Sequence, residues 1–450
     1  MAIPTTYIYF YMAVSLRVFN TPPFHSSSYQ FALTSRDQKI NRIQALKDVL
    51  WSKHNFCRTI SRATHGDVDW QYFTFPCWVM PEGFNALSKY AAKHSPEQTQ
   101  WIVKPRSSGA GQGIYVVDTD SNDSVGALRQ LRHTKHVVQT YLTNPHLING
   151  RKWDMRTYVL CTSVSPLRAY IYSRGLVRFA TSKYDPSAKD GGKKTAFLTN
   201  TSVNKKVAGA ALTNITWPFH ELKRHFEEAE GATWDDVMQD IQEVIGLTLL
   251  SAESAFVKRF ASLNGRGAGK KHYTCENCYQ LLGVDIIMDA NRKPRVIEVN
   301  GEPNMHLSAD ASRKRGKKST NHYDVTKRSM SRDLVNIVYN GHSVASTVAT
   351  NLLGIASRQS GAVGIPKCVN SSGDLCLHEK DFEYLLDMHR ERQRMGGFLP
   401  VYPHNDLNYQ YGEYLDFLRR GELRRGNSRQ SSHLDGRRHK FHKLLSAQYA

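Results

Sequence analysis

Long apolar runs are missing from this 450-residue chain. No stretch approaches the ~20 consecutive apolar residues that a membrane-spanning helix needs, so no membrane partner is expected. Tyr7–Val18 is apolar but short, and it lacks a basic flank and a clear small-residue cleavage site, which argues against a signal peptide. Cysteine is sparse: seven residues, an odd number thinly spread, argue for a reducing compartment and no disulfide framework. Cys275 and Cys278 form a CxxC, but Cys368 and Cys376 have the wrong spacing to complete a structural zinc site, which favours ordinary thiols. No internal repeat is present.

Acid is the other deficit. Forty Asp and Glu stand against 60 Lys and Arg, leaving a formal net charge of +20. A chain so basic is expected to meet an acidic partner. The charge is uneven, with clusters at Lys258/Arg259, Arg266/Lys270/Lys271, Arg313–Lys318 and Arg419–Lys443, each readable as a docking site or as an ordinary solvated face. Aromatic residues do not interleave with the basic ones around Arg419–Arg438, so nucleic acid is not the expected partner. Apolar residues make up 40% of the chain, enough for substantial cores, and the length suits two or three lobes.

Hydrophobic periodicity predicts a helix over Lys39–Asn55, with Ile43, Leu46 and Leu50 on one face. Strands are expected at Phe75–Met80, Trp101–Pro105, Ile114–Val117 and His136–Leu142, with a helix over Glu82–Lys93. Arg151–Thr162 and Leu167–Ser173 read as an antiparallel pair turned around Pro166, and Leu281–Met288 and Arg295–Val299 as another pair. Helical patterns cover Trp234–Phe260, Arg332–Leu353 and Lys380–Arg394. The pattern is mixed α/β with mostly antiparallel strands.

Four groups of residues carry chemical interest. Glu298 and Asn300 are two apart at a strand end and so share a face, and Asp285 sits on the neighbouring predicted strand. Three oxygen ligands of this kind suit Mg²⁺; solvated acids at a strand-end turn are the alternative. Lys152, Asp154 and Arg156 alternate with Trp153 and Met155, which puts three charges on one strand face. They form either an edge-strand ladder or a charged site in which the forked donors of Arg156 hold a carboxylate or phosphate. Lys104 ends a strand ahead of the loop Gly109–Gly113, which can lay its N–H groups over phosphates or simply turn a hairpin. Gln139, Thr140, Tyr141 and Leu142 could form an apolar hinge for a purine, or an ordinary strand.

The order of these motifs is more specific than any one of them. It runs Lys-Pro, glycine loop, Gln-x-Tyr-Leu, Lys-x-Asp-x-Arg, Gly-Leu-Val-Arg, Leu-Thr-Asn, Leu-Leu-Gly-x-Asp, then Ile-Glu-Val-Asn. The series resembles the tubulin tyrosine ligase-like family, most of all its polyglutamylating members, from about Lys39 to Leu353. The resemblance resumes at Arg394–Pro403, which looks like the basic helical extension of the glutamylating members. It implies an ATP-grasp fold of two to three lobes plus that extension. The corresponding divisions are an uninterpreted segment 1–38, an N-terminal lobe 39–82, a central lobe 83–143, a catalytic lobe 144–355 and a basic, partly helical tail 356–450.

The resemblance also implies roles. Lys47 and Lys104 would contact ATP phosphates, with Gly111 and Gly113 in the phosphate loop. Gln139, Tyr141 and Leu142 would line the adenine pocket. Lys152, Asp154 and Arg156 would hold nucleotide and the acceptor or incoming amino acid. Arg178 would stabilise phosphate or the reacting carboxylate, Thr199 and Asn200 would lie near ribose and phosphates, and Asp285, Glu298 and Asn300 would bind Mg²⁺. The implied reaction adds free glutamate to glutamate side chains in the acidic tails of α- or β-tubulin through an acyl phosphate. Glycine or tyrosine addition, or a weakly active microtubule-binding module, are the alternatives. The implied setting is a cytoplasmic monomer on the microtubule cytoskeleton, cilia and basal bodies included. A glutamate-adding site needs a further cation for the second carboxylate, for which Arg174 and Lys183 are candidates. Ala110, Thr140, Phe197, Glu302 and Asn304 depart from the family pattern, which bears on turnover and amino-acid choice.

Overall fold

The structure, a computed structural model, describes residues 40–43, 45–94, 100–106, 108–109, 111–119, 125–188, 193–207, 215–264, 278–307, 321–338, 379–424 and His442. The basic clusters at Arg266/Lys270/Lys271 and Arg313–Lys318, most of Arg419–Lys443, Ala110, Cys275, Cys368, Cys376 and the first 39 residues lie outside them.

Among the described residues, two sheets organise the molecule. The smaller has four antiparallel strands in the order β2 (Cys77–Val79), β5 (His136–Thr140), β3 (Gln100–Pro105) and β4 (Tyr115–Asp118). Its alternation sorts the side chains. Trp101, Val103 and Val138 pack with Phe84 and Leu87 of the helix α2 (Phe84–Lys93), while Lys104 and Gln139 point to the opposite face.

The larger sheet has nine strands and is built on two long ones, β7 (Arg151–Val164) and β11 (Cys278–Met288), which pair antiparallel. β12 (Pro294–Asn300) returns along β11. β8 (Leu167–Tyr172) and β9 (Leu176–Phe179) pair with β7. Odd-numbered residues of β7, Trp153, Met155 and Val159, join the main core with the 31-residue helix α6 (Trp234–Asn264). Even-numbered Tyr158 and Leu160 face the other way, under Met330, Leu334 and Ile337 of the helix α7 (His322–Val338). The charges of β7 sit on that second face by the same alternation, ahead of the apolar part. The resulting architecture, mixed helix and antiparallel sheet, is the α/β ATP-grasp type.

The stripe Ile43, Leu46 and Leu50 is buried, but the predicted helix Lys39–Asn55 does not form as one unit. Ile40–Asn41 instead adds a short parallel strand, β1, to β11; the Leu281 N–H donates to Asn41 Oδ1 at 2.9 Å and the Ile43 N–H to Gln280 Oε1 at 3.0 Å. The chain turns at Ala45 (φ 72°), makes a π-helical turn over Lys47–Trp51, and only then enters the helix α1 (Lys53–Ala63). Pairing to a sheet edge has overridden local helical preference.

Cysteine usage is also corrected. Cys57 on α1 and Cys77 on β2, both buried, form a disulfide with Cα atoms 5.8 Å apart. They are 20 residues apart in sequence, so only the packing of α1 on β2 brings them together.

Much of the segment beyond residue 378 is built into the body. Strand β13 (Phe398–Tyr402) pairs with β8 at the sheet edge, and Tyr411 and Tyr414 of the helix α9 (Asn408–Arg424) are fully buried in the main core. The helix α8 (Glu379–Arg392) docks through Glu391, which pairs with buried Arg168 at 2.7 Å and accepts from Tyr170 Oη at 2.9 Å. Among the described residues, no helix is long and apolar enough to cross a membrane.

Candidate active site

The site lies between the Lys104 and Gln139 face of the small sheet and the even-numbered face of the large one. Strand register builds its floor. Asp154 on β7 is opposite Arg178 on β9, Arg156 on β7 is opposite Asp285 on β11, and Asp285 is opposite Glu298 on β12. Cross-strand partners share a face, so these five charges form a patch across four strands. Arg178 Nε donates to Asp154 Oδ1 at 2.7 Å, and its Nη2 lies 3.0 Å from Asp285 Oδ2. Arg156 grips the same Asp285 through Nε and through Nη2, the latter at 2.9 Å. Burial opposes ionisation of Asp285, but the two guanidiniums outweigh it and hold its carboxyl well below the usual range.

Lys152, two residues before Asp154, is buried. Its ammonium lies over the Tyr141 ring, 4.2 Å from the centroid, and donates to Tyr141 Oη at 3.1 Å. Burial pushes its pKa down to about 7; Asp154 opposes the shift and Lys104 adds to it. Lys104 comes from the small sheet and donates to Gln139 Oε1 at 2.5 Å, while Gln139 Nε2 donates to the Phe75 carbonyl at 3.3 Å. Burial lowers the Lys104 pKa to about 8.

Other expected residues gather around this centre. Leu142 follows Tyr141 at the strand end, and its carbonyl accepts from Tyr184 Oη at 3.4 Å. Gly111 and Gly113 have φ of 76° and 69°, and a Cβ at Gly111 would come within 3.0 Å of Asn200 Oδ1. The loop therefore rests against the Leu-Thr-Asn segment, where Thr199 is buried. Phe197 fills an apolar cluster with Ile114, Val116 and Tyr141.

Lys47 is not brought to the others. It is exposed on the π-helical turn. The lysine that enters the cleft from that region is Lys53, at the start of α1, which donates to the Ser108 carbonyl at 2.7 Å and lies 3.8 Å from Glu298 Oε2. With Lys104, Gln139, Glu298 and Trp51, it lines a narrow cleft. Sequence reasoning passed over Lys53 because it belongs to no strand-end motif. Tyr184 was likewise missed; it stacks its ring beside Lys152 and reaches the Thr143 carbonyl at 3.0 Å.

Asn300 Nδ2 donates to Gly283 O at 3.3 Å and to Glu298 Oε1 at 3.4 Å. Among the described residues no three His, Cys, Asp or Glu side chains form a metal cluster, and the Asp285, Glu298 and Asn300 set has only two acids. In donor type the set still fits a hard divalent cation: carboxylate and amide oxygens, two of them on one strand end.

A charged floor facing a lysine-bearing sheet is one arrangement that many nucleotide-dependent ligases could share. The comparison with known families is specific. The profile of the Tubulin-tyrosine ligase family matches residues 33–318. The chain belongs to the tubulin-tyrosine ligase family. Its family relatives include the tubulin monoglutamylase TTLL4 of Homo sapiens, 35% identical over 300 residues, which are 63% of this chain and 23% of that protein. The tubulin polyglutamylase TTLL5 of Homo sapiens is 26% identical over 427 residues, 87% of this chain and 31% of that protein. The tubulin polyglutamylase ttll-4 of Caenorhabditis elegans is 31% identical over 290 residues, 63% of this chain and 44% of that protein. The chain therefore spans less than half the length of these relatives.

Proposed function

We propose that the chain is an ATP-dependent ligase that adds glutamate to glutamate side chains in the acidic tails of tubulin. The carrying observation is the interlocked row Arg178, Asp154, Arg156, Asp285 and Glu298, set against Lys104 and Gln139 on the facing sheet. Such a row can hold an anionic nucleotide and a carboxylate together, and the names of the family relatives supply the amino acid and the acceptor.

A carboxylate cannot acylate an amine in water, because its oxygen is a poor leaving group. In the proposed reaction an acceptor carboxylate oxygen attacks the γ-phosphorus of ATP and the bond to ADP breaks. The amino group of glutamate then attacks the acyl carbon, the carbon–oxygen bond to phosphate breaks, and an amide and phosphate result with loss of a proton from the amine. The chain contributes position and fixed charge rather than a covalent intermediate. Lys104, Lys53 and Lys152 neutralise the phosphates, and anionic ligands restore the charge that burial disfavours in Lys104 and Lys152. Gln139 fixes the Lys104 ammonium, and Tyr141 with Leu142 forms the wall for the base. Asp154 orients the Arg178 guanidinium toward the reacting groups. Magnesium held by Asp285, Glu298 and Asn300 would offset phosphate charge. Free glutamate, tubulin and a place on cytoplasmic microtubules follow as co-substrate, partner and setting, and the +20 charge supports steering toward acidic tails.

The test is to incubate the chain with MgATP, tubulin and each of glutamate, glycine and tyrosine, and to read tail masses by mass spectrometry. A glutamate increment alone is expected. A glycine or tyrosine increment would replace the amino acid, and no increment with any of them would reject the ligase reading.

A further inference from the structure

Which side chain tells glutamate from smaller or neutral amino acids is a question for the far side of the site, away from the nucleotide hinge at Tyr141. Arg174 and Lys183, the cations that the sequence offers, are both exposed. A different lysine is buried there. Helix α7 lies on the same face of the large sheet as the charged floor, packed over the part of β7 beyond Arg156. Its inward stripe runs Tyr323, Lys327, Met330, Leu334 and Ile337, at the i, i+4, i+7, i+11, i+14 spacing of a helix face. Met330 and Leu334 meet Tyr158 and Leu160 of β7, so Lys327, one turn back along the stripe, falls toward Arg156, which precedes Tyr158 on the same strand face.

Neighbouring contacts fix this end of the helix. Tyr323 Oη lies 3.5 Å from Thr201 Oγ1, just after the Leu-Thr-Asn segment. Lys327 Nζ donates to the His306 carbonyl at 2.7 Å, in the strap that leaves β12 after Asn300. The same strap brings Pro303 over Gly283, where an added Cβ would lie 3.1 Å from Pro303 and 3.2 Å from the Arg156 side chain. Lys327 and Arg156 thus flank one strap. The arginines of the floor are matched by Asp154 and Asp285, and Lys53 by Glu298. Among the described residues, no carboxylate lies within 4.0 Å of Lys327 to form an ion pair; its one hydrogen-bond acceptor is a neutral carbonyl. Burial pushes its pKa below the usual lysine value, Asp324 opposes this and Arg156 adds to it. A buried ammonium with spare donors beside a guanidinium is a site for an incoming anion.

We infer that Lys327, on the strap flanked by Arg156, binds the side-chain carboxylate of the incoming amino acid and sets the preference for glutamate. This deepens the glutamate-ligase reading and rests on it for the identity of the ligand.

Calorimetry on the full chain, saturated with magnesium and a non-hydrolysable ATP analogue, tests it by titration with glutamate and with glutamine. For K327M the glutamate dissociation constant rises about 10²-fold, as expected when one partner of a buried charge pair is removed. Glutamine affinity and the affinity for the ATP analogue stay as in wild type, and K327R recovers part of the glutamate preference. K327Q, a polar replacement, serves if thermal unfolding shows K327M misfolded. Equal glutamate affinity in wild type and variant, equal weakening of glutamate and glutamine, or a wild-type chain without preference between them would each overturn the inference. A wild-type chain that binds glutamate through Lys327 but leaves tubulin tails unextended would reject the ligase reading alone.

Discussion

The Arg178 guanidinium lies 3.0 Å from the Asp285 carboxylate, and it does so while holding Asp154 on the adjacent strand. One cation thus ties together two acids from β7 and β11, and Arg156 closes the group from the other side of Asp285. Opposite charges at this depth are costly to separate, because each would remain buried without its partner.

Removing Arg178 should therefore unsettle the fold as well as the chemistry. Arg178→Met leaves Asp154 short of its only ion-pair partner among the described residues. We expect a stability loss of about 3–5 kcal/mol in urea unfolding, together with loss of ligation. Unchanged stability would mean that the patch is not held by this bridge.

Glu298 is the contrasting position. It is only half-buried, with Lys53 at 3.8 Å, so Glu298→Gln should leave the circular dichroism spectrum and melting temperature near wild type. Ligation should fall by about 10²–10³ or more, the usual cost of losing a preorganised charge in such a site. Near-wild-type activity in the folded variant would show that the metal assignment is wrong.

Proton uptake should accompany nucleotide binding. Lys152 and Lys104 are held at about 7 and 8, below the ordinary lysine value, by burial. Between those values and about 10.4, the unfolded chain binds more protons at these positions than the folded one. Their contribution to stability therefore rises with pH across that window, since the cost of burying charge is relieved as they lose their protons. Phosphate favours the protonated forms. ATP binding at pH 8 should take up protons and weaken as pH rises further, visible as a binding enthalpy that varies with the ionisation enthalpy of the buffer. An enthalpy independent of the buffer would contradict this.

Truncations of the C-terminal part should separate structure from docking. Ending the chain at residue 404 removes Tyr411 and Tyr414 from the main core, and Phe417 from its stack on Trp70 at 4.3 Å, so that product should not fold. Ending it at 424 keeps this packing and costs the buried contacts of His442 with Glu253 at 2.7 Å and Tyr402 at 2.8 Å. The chain ending at 424 should melt at a lower temperature and co-sediment with microtubules more weakly and with less salt dependence than the full chain. Unchanged, salt-insensitive binding would remove the docking role from residues 425–450.

Strand residues with period-two charge were legible in the sequence, because alternation alone assigns Lys152, Asp154 and Arg156 to one face. The pairing of Asp285 with Glu298 was also legible, from two apolar strands and a short turn. What alternation cannot give is register between distant strands, so the bridge from Arg178 to both acids emerged only in three dimensions. Helix α7 shows the same limit. Its predicted span, Arg332–Leu353, starts ten residues after the observed start at His322, because polar residues at the start of the helix hid the stripe that carries Lys327; positions 339–353 of that span lie outside the described residues. Cys57 and Cys77 meet through packing of a helix on a strand, a contact that no spacing rule anticipates.

The central claim is that ATP activates an acceptor carboxylate at this floor. It is tested most directly with acidic tail peptides whose glutamate side chains carry heavy oxygen, incubated with the chain, MgATP and glutamate. The account predicts extended peptide and heavy oxygen transferred into the released phosphate. Extended peptide with unlabelled phosphate, or phosphate released without extension, would contradict it.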